Sequence, residues 1–133
     1  MFKYNSGVII YLPKAFFMGK VILSDIKIYA FHGCMEEEKR IGSDYIVNLI
    51  VEVNMLEPAK SDALEDAVDY VSLNAIVKEE MSVRSRLLEH VAQRIIDRIA
   101  KQFPKIEGVE VSVAKQNPPI GGDVREVCVS LKG

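Results

Sequence analysis

The chain has 133 residues, 49% of them hydrophobic, enough to bury one core in one domain without disulfide or metal staples. Its 17 Lys and Arg against 19 Asp and Glu leave a net charge of -2 and a pI near 5.7, and the basic residues are scattered, which argues against nucleic acid or another polyanion as partner. Two cysteines, Cys34 and Cys128, form no C-x-x-C pair and are too few for a disulfide framework, so they read as the reduced thiols of a cytoplasmic protein.

The opening stretch holds an apolar patch, Val8 to Leu12, that stops at Pro13 and Lys14. It is shorter than the apolar region of an export signal and far shorter than a membrane span. Residues 1–17 are expected to form an extension outside the core, a docked arm or a capping strand, with the folded domain over residues 18–133. From Val21 a first strand is expected, with Ile26, Ile28 and Ala30 alternating against Lys27 and Tyr29 and Gly33 ending it. The charged run M-E-E-E-K-R then leads to a second strand over 44–55. There Tyr45, Val47, Leu49, Val51, Val53 and Met55 share one face, while Asp44, Asn48, Glu52 and Asn54 share the other with Ile46 and Ile50.

Pro58 closes that strand, and a polar connection follows. Ser72 is the expected N-cap of a helix over about 72–83, carried by Leu73, Ile76, Val77 and Met81. Ser85 is the expected cap of a second, whose stripe is Leu88, Val91, Ala92, Ile95, Ile99 and Phe103 and which ends before Pro104. V-E-V-S-V-A-K, 109–115, reads as a third strand and 124–131 as a fourth. The order β-β-α-α-β-β with short links predicts an α+β domain: a four-stranded antiparallel sheet with two helices on one face.

No G-x-G-x-x-G, G-x-x-x-x-G-K-[ST] or G-x-S-x-G motif occurs, and neither His32 nor His90 stands at metal-ligand spacing, so no cofactor and no metal is expected. Four pieces remain. They are F-H-G followed by Glu38 and I-G, D-A-V-D-Y ending at Tyr70, L-L-E-H-V-A-Q-R-I, and K-Q-N-P-P-I beginning at Lys115. In that order and spacing the chain, from about Val21 to about Leu131, resembles the dihydroneopterin aldolases, cytoplasmic enzymes of folate biosynthesis; residues 1–17 have no counterpart in the resemblance.

The resemblance implies a small-molecule pterin substrate and the tunnelling fold. In that fold four subunits close their sheets into a ring, two rings stack into an octamer, and sites lie between neighbours. Glu89 would accept two N–H donors of the pterin edge while the free backbone N–H of Leu88 meets its carbonyl. The backbone of Val68 would meet the ring from the adjacent subunit. Lys115 and Tyr70 would exchange protons, with Glu38 lining the pocket.

Each residue also has a plainer reading. Glu89 complements the dipole of its helix, Lys115 ends a strand in solvent, and Glu38 belongs to a solvated run with Glu36 and Glu37. A pocket lysine is expected to have its pKa lowered by desolvation toward about 7–8. Rival activities are epimerisation of the side chain or of its triphosphate, for which Arg125 is the visible phosphate partner, a zinc-dependent relative, and a non-catalytic ring protein binding a pterin or purine.

Overall fold

A computed structural model describes residues 16–133 with their side chains and, upstream, the backbone of Tyr4–Asn5, Val8–Ile9 and residues 14–15. β1 (Tyr4–Asn5) and β2 (Val8–Ile9) pair antiparallel, and the remainder of the extension expected over 1–17 falls mostly outside the described residues. The main sheet consists of β3 (Met18–Ala30), β4 (Ser43–Asn54), β5 (Ile106–Gln116) and β6 (Glu126–Lys132), antiparallel throughout and in that spatial order. This is the expected α+β architecture.

The period of two in β4 decides what is buried. Tyr45, Val47, Leu49 and Val51 are almost completely shielded and Val53 nearly so, and in register across β5 they meet Lys115, Val113, Val111 and Val109. Helix α3 (Tyr70–Met81) adds Leu73, Ile76, Val77 and Met81 to this layer, and α4 (Leu88–Gln102) adds Val91, Ala92, Ile95, Ile96 and Ile99. Each such aliphatic side chain contributes about 1.5–3 kcal/mol by leaving water. Among the described residues no helix is long and apolar enough to cross a membrane.

Both expected helix caps need correction. Helix α3 starts at Tyr70 because the Asp69 carboxylate accepts the Val71 N–H at 2.9 Å; Ser72 lies inside the helix and turns its hydroxyl back to Asp69. Helix α4 starts at Leu88 with Leu87 at its N-cap and no side-chain cap, because the Ser85 backbone and hydroxyl are engaged elsewhere. Two short helices were not anticipated. One, α1 (Glu36–Arg40), has three glutamates in its first turn and Lys39 and Arg40 in its last, matching the helix dipole. The other, α2 (Leu56–Ser61), tolerates Pro58 in its first turn, where no intrahelical N–H bond is required. β3 also carries a bulge between Leu23 and Ile26, where Asp25 adopts φ +54° and its N–H is taken by the Asn48 side chain at 2.8 Å.

Truncating the buried centre of β4 by Leu49→Ala should lower the unfolding free energy by about 2–5 kcal/mol, whereas Asp69→Ala should lower it by about 1 kcal/mol. Urea denaturation would read both as falls in midpoint with little change in slope.

Candidate active site

The site is built on the turn that follows β3. Its backbone is pinned to the segment between α3 and α4 from several directions. Arg84 donates to the Phe31 carbonyl at 3.0 Å and to the Gly33 carbonyl at 2.5 Å, the Gly33 N–H donates to the Ser85 carbonyl at 3.0 Å, and the Cys34 thiol donates to the Arg86 carbonyl at 3.3 Å. The Ser85 N–H donates to Nδ1 of fully buried His32 at 2.9 Å, so the remaining proton of neutral His32 sits on Nε2. Arg94 of α4 holds the other side of this segment, donating to the Ser85 hydroxyl at 2.9 Å, the Val83 carbonyl at 2.7 Å and Glu80 at 2.6 Å. Gly33 is required here: at φ +141° it adopts a backbone that L side chains avoid, and a Cβ would overlap the Glu38 carboxylate.

The pinned turn presents the carbonyl oxygen of His32 to the end of β5. Lys115, only 5% exposed, donates its ammonium to that oxygen at 2.6 Å and forms an ion pair with Glu38 of α1. Glu38 in turn accepts the Met35 N–H at 3.1 Å. Burial pushes the Glu38 carboxyl up, but the Lys115 bond and the Met35 N–H outweigh it and hold the group below its ordinary value. For Lys115 burial pulls downward, and the bond to Glu38 with the neighbouring Tyr45 hydroxyl more than reverses this, leaving its pKa above the ordinary lysine value. The expected depression toward neutrality is therefore overturned, because a carboxylate partner compensates the desolvation that would have caused it.

A cavity of about 340 Å³ opens beside the pair. Lys115, Glu38, Leu88 and Glu89 all line it, so four of the six residues singled out from sequence meet in one place. Pro118 and Pro119 line it too, and the turn that carries them is set by Asn117, at φ +48°, whose N–H donates to the Arg125 carbonyl at 2.7 Å. The other two, Val68 and Tyr70, lie elsewhere on the same chain. They line a second cavity of about 310 Å³ with Asp66 and Met55, and Tyr70 at the start of α3 is 66% exposed.

Arg125 is not a cavity residue, since its guanidinium pairs with Glu126 at 3.0 Å; the arginine in the lining is Arg86. Sequence reasoning missed His32 and Tyr45 as parts of the site. A tyrosine in an otherwise aliphatic buried row was the available signal, because a buried phenol needs a hydrogen-bond partner.

Residues 21–132 match the model of the family described as "FolB: Dihydroneopterin aldolase". Among curated proteins, a dihydroneopterin aldolase of Streptococcus pyogenes serotype M18 is 32% identical over 119 residues, covering 86% of this chain and 98% of the relative. Among solved structures, E. coli dihydroneopterin aldolase in complex with neopterin superposes with a TM-score of 0.78 at 19% identity, covering 86% of this chain and 98% of that one. A dihydroneopterin aldolase from Burkholderia thailendensis bound to guanine gives a TM-score of 0.72 at 18% identity over 91% of this chain and 94% of that one. At these identities the two structures establish the likeness of fold.

His32 gives the site a pH signature of its own. Burial first, then the charges of Arg94 and Lys115, lower its pKa from 6.5 to about 4, against an opposing pull from the Met81 carbonyl. Its stabilising contribution is complete above the unfolded value and is lost as pH falls to the folded one. Unfolding free energy should therefore drop by up to about 3 kcal/mol between pH 6.5 and 4. In His32→Asn, which keeps an acceptor for the Ser85 N–H, denaturant titrations should show this slope flattened, leaving only the loss below about pH 4.5 to which Glu38 contributes.

Proposed function

Because the chain belongs to the dihydroneopterin aldolase family and is an aldolase of the folate pathway, we propose that Lys115, Glu38 and Tyr70 run its carbon–carbon cleavage on a pterin held by Glu89. The observation that carries this reading is one cavity lined both by a buried ammonium–carboxylate pair and, at a helix start, by a carboxylate with no partner among the described residues. Glu89 accepts the two N–H donors of the pyrimidine edge, and the Leu88 N–H, in the first turn of α4, meets the ring carbonyl. Charge-assisted bonds of this kind contribute about 1.5–3 kcal/mol each, enough to orient a flat polar ring.

The substrate, 7,8-dihydroneopterin, supplies its own electron sink. A base takes the 2′-hydroxyl proton, the C1′–C2′ bond breaks, glycolaldehyde leaves, and the bond's electrons pass through C6 to N5, which takes up a proton. The enol that results gains a proton at C1′ and loses the one at N5, giving 6-hydroxymethyl-7,8-dihydropterin with the imine restored. Lys115, held protonated by Glu38, is suited to deliver a proton, and Tyr70 to exchange the other. A Schiff base is unnecessary, since the ring imine already accepts the electrons.

The separation of Lys115 and Glu89 from Val68 and Tyr70 into two cavities supports a site completed between subunits of a cytoplasmic homo-oligomer, a ring of four or two stacked rings. Among the described residues the outer strands β3 and β6 each leave a backbone edge unpaired, which ring closure would satisfy. The working unit is the domain over residues 18–133.

Incubation with 7,8-dihydroneopterin and a chelator should release glycolaldehyde; no product at any protein concentration sinks the reading. Lys115→Ala should retain pterin affinity while kcat falls about 10²–10⁴-fold, and Glu89→Ala should first weaken binding, about 10–100-fold. Mixing Lys115→Ala with Tyr70→Phe subunits under exchange conditions should restore part of the activity that each lacks alone, and no recovery would count against the shared site.

A further inference from the structure

We propose that Tyr45 is a positioning residue for the Lys115 amine, because its hydroxyl and that amine share one acceptor, the main-chain carbonyl oxygen of His32. The phenol donates to this oxygen at 2.9 Å and the ammonium at 2.6 Å. A carbonyl oxygen offers two lone pairs, so the pair of donors fills it and each fixes the direction left to the other. Tyr45 and Lys115 are also direct partners across β4 and β5, which holds the ring 5.6 Å from the ammonium. The ring cannot drift: it is 1% exposed and lies edge-on to the His32 imidazole, with centroids 5.3 Å apart.

Positioning is needed because the stronger partner is unreliable during the reaction. A lysine side chain carries about 2 kcal/mol of rotamer entropy that something must suppress. Glu38 does so while both groups are charged, but both members of that pair titrate, and a neutral amine is held by a carboxylate far less firmly than an ammonium. The His32 carbonyl does not titrate, and burial raises the Tyr45 phenol above its ordinary value, so it stays protonated. With its hydrogen spent on the carbonyl, the phenol oxygen keeps lone pairs for the neighbouring ammonium, so the hydroxyl favours the charged amine and its removal lowers the Lys115 pKa. Tyr45 thus holds the charged form of Lys115 without moving its ring. The other titratable or charged groups around the amine are Glu38 from α1, His32 from the turn after β3, and Cys34, Arg86 and Glu89 in the cavity lining.

The inference rests on Lys115 being the proton-exchanging group, and the test separates the two ideas. Tyr45→Phe keeps the ring, the cross-strand pair and the packing, and removes only the hydroxyl. It should lower kcat about 10- to 100-fold with KM for 7,8-dihydroneopterin within about twofold, and move the alkaline limb of the kcat profile to lower pH. Independently of turnover, the Cε resonances of Lys115, assigned by their loss in Lys115→Met, should titrate at lower pH in Tyr45→Phe than in the wild type. If the wild-type chain fails to cleave the pterin, the aldolase reading falls and this titration alone decides: a shift supports the positioning role, and an unmoved midpoint overturns it. In an active enzyme, unchanged kcat overturns the role, as does reduced kcat with neither limb nor titration displaced, since a merely structural hydroxyl would move neither. Should Tyr45→Phe not fold, 3-fluorotyrosine at position 45 keeps ring and hydroxyl while weakening the oxygen as an acceptor, and the same downward displacement is expected.

Discussion

A buried lysine and a nearly buried glutamate, drawn from opposite ends of the chain, neutralise each other at the close of β5, and the site depends on that pairing. Removing two charges from water costs several kcal/mol per ion, and only good geometry with further hydrogen bonds recovers it. Here the additional bonds come from the His32 carbonyl to the ammonium and from the Met35 N–H to the carboxylate. The pair also explains why α1 exists as an ordered element. Five residues are too few for a helix to persist alone, and Glu38 ties this one to the sheet.

Around the pair, rigidity is supplied by arginine. The guanidinium of Arg84 bridges two carbonyls on either side of His32, and that of Arg94 clasps the segment facing them. Arginine suits this task because its planar fork fixes several acceptors at once and stays charged at every relevant pH. The chain of contacts runs from α4 through Ser85 to His32 and then to Lys115, so helix packing in the core and the aim of the amine are mechanically connected. His32 can be neutral and deeply buried because its Nδ1 is satisfied by a backbone N–H, and this same burial makes the turn sensitive to acid.

The cavity, of about 340 Å³, has charge of both signs at its walls, an arrangement suited to holding a polar ligand by direction as much as by area. Two residues of the proposed constellation sit in a different cavity, with Tyr70 largely in solvent. On the proposed reading the outer strands of the sheet, whose edges are unpaired among the described residues, would bring the two cavities together by main-chain hydrogen bonding between subunits.

Much of the fold was legible because its signals are local. Alternation through Tyr45 to Val53 and the stripes from Leu73 to Met81 and from Leu88 to Phe103 depend only on the periods of strand and helix, so class, order and core followed from sequence. Family motifs then brought Lys115, Glu38, Leu88 and Glu89 to attention. What sequence could not provide were partners chosen across distance. Asp69 displaced Ser72 as a cap, Ser85 was drawn away by His32 fifty-three residues earlier, and Lys115 met a carbonyl eighty-three residues earlier in the chain. The protonation of Lys115 was decided by that tertiary pairing, because a pKa follows the charges and solvent that surround a group in space, and no periodic pattern encodes them.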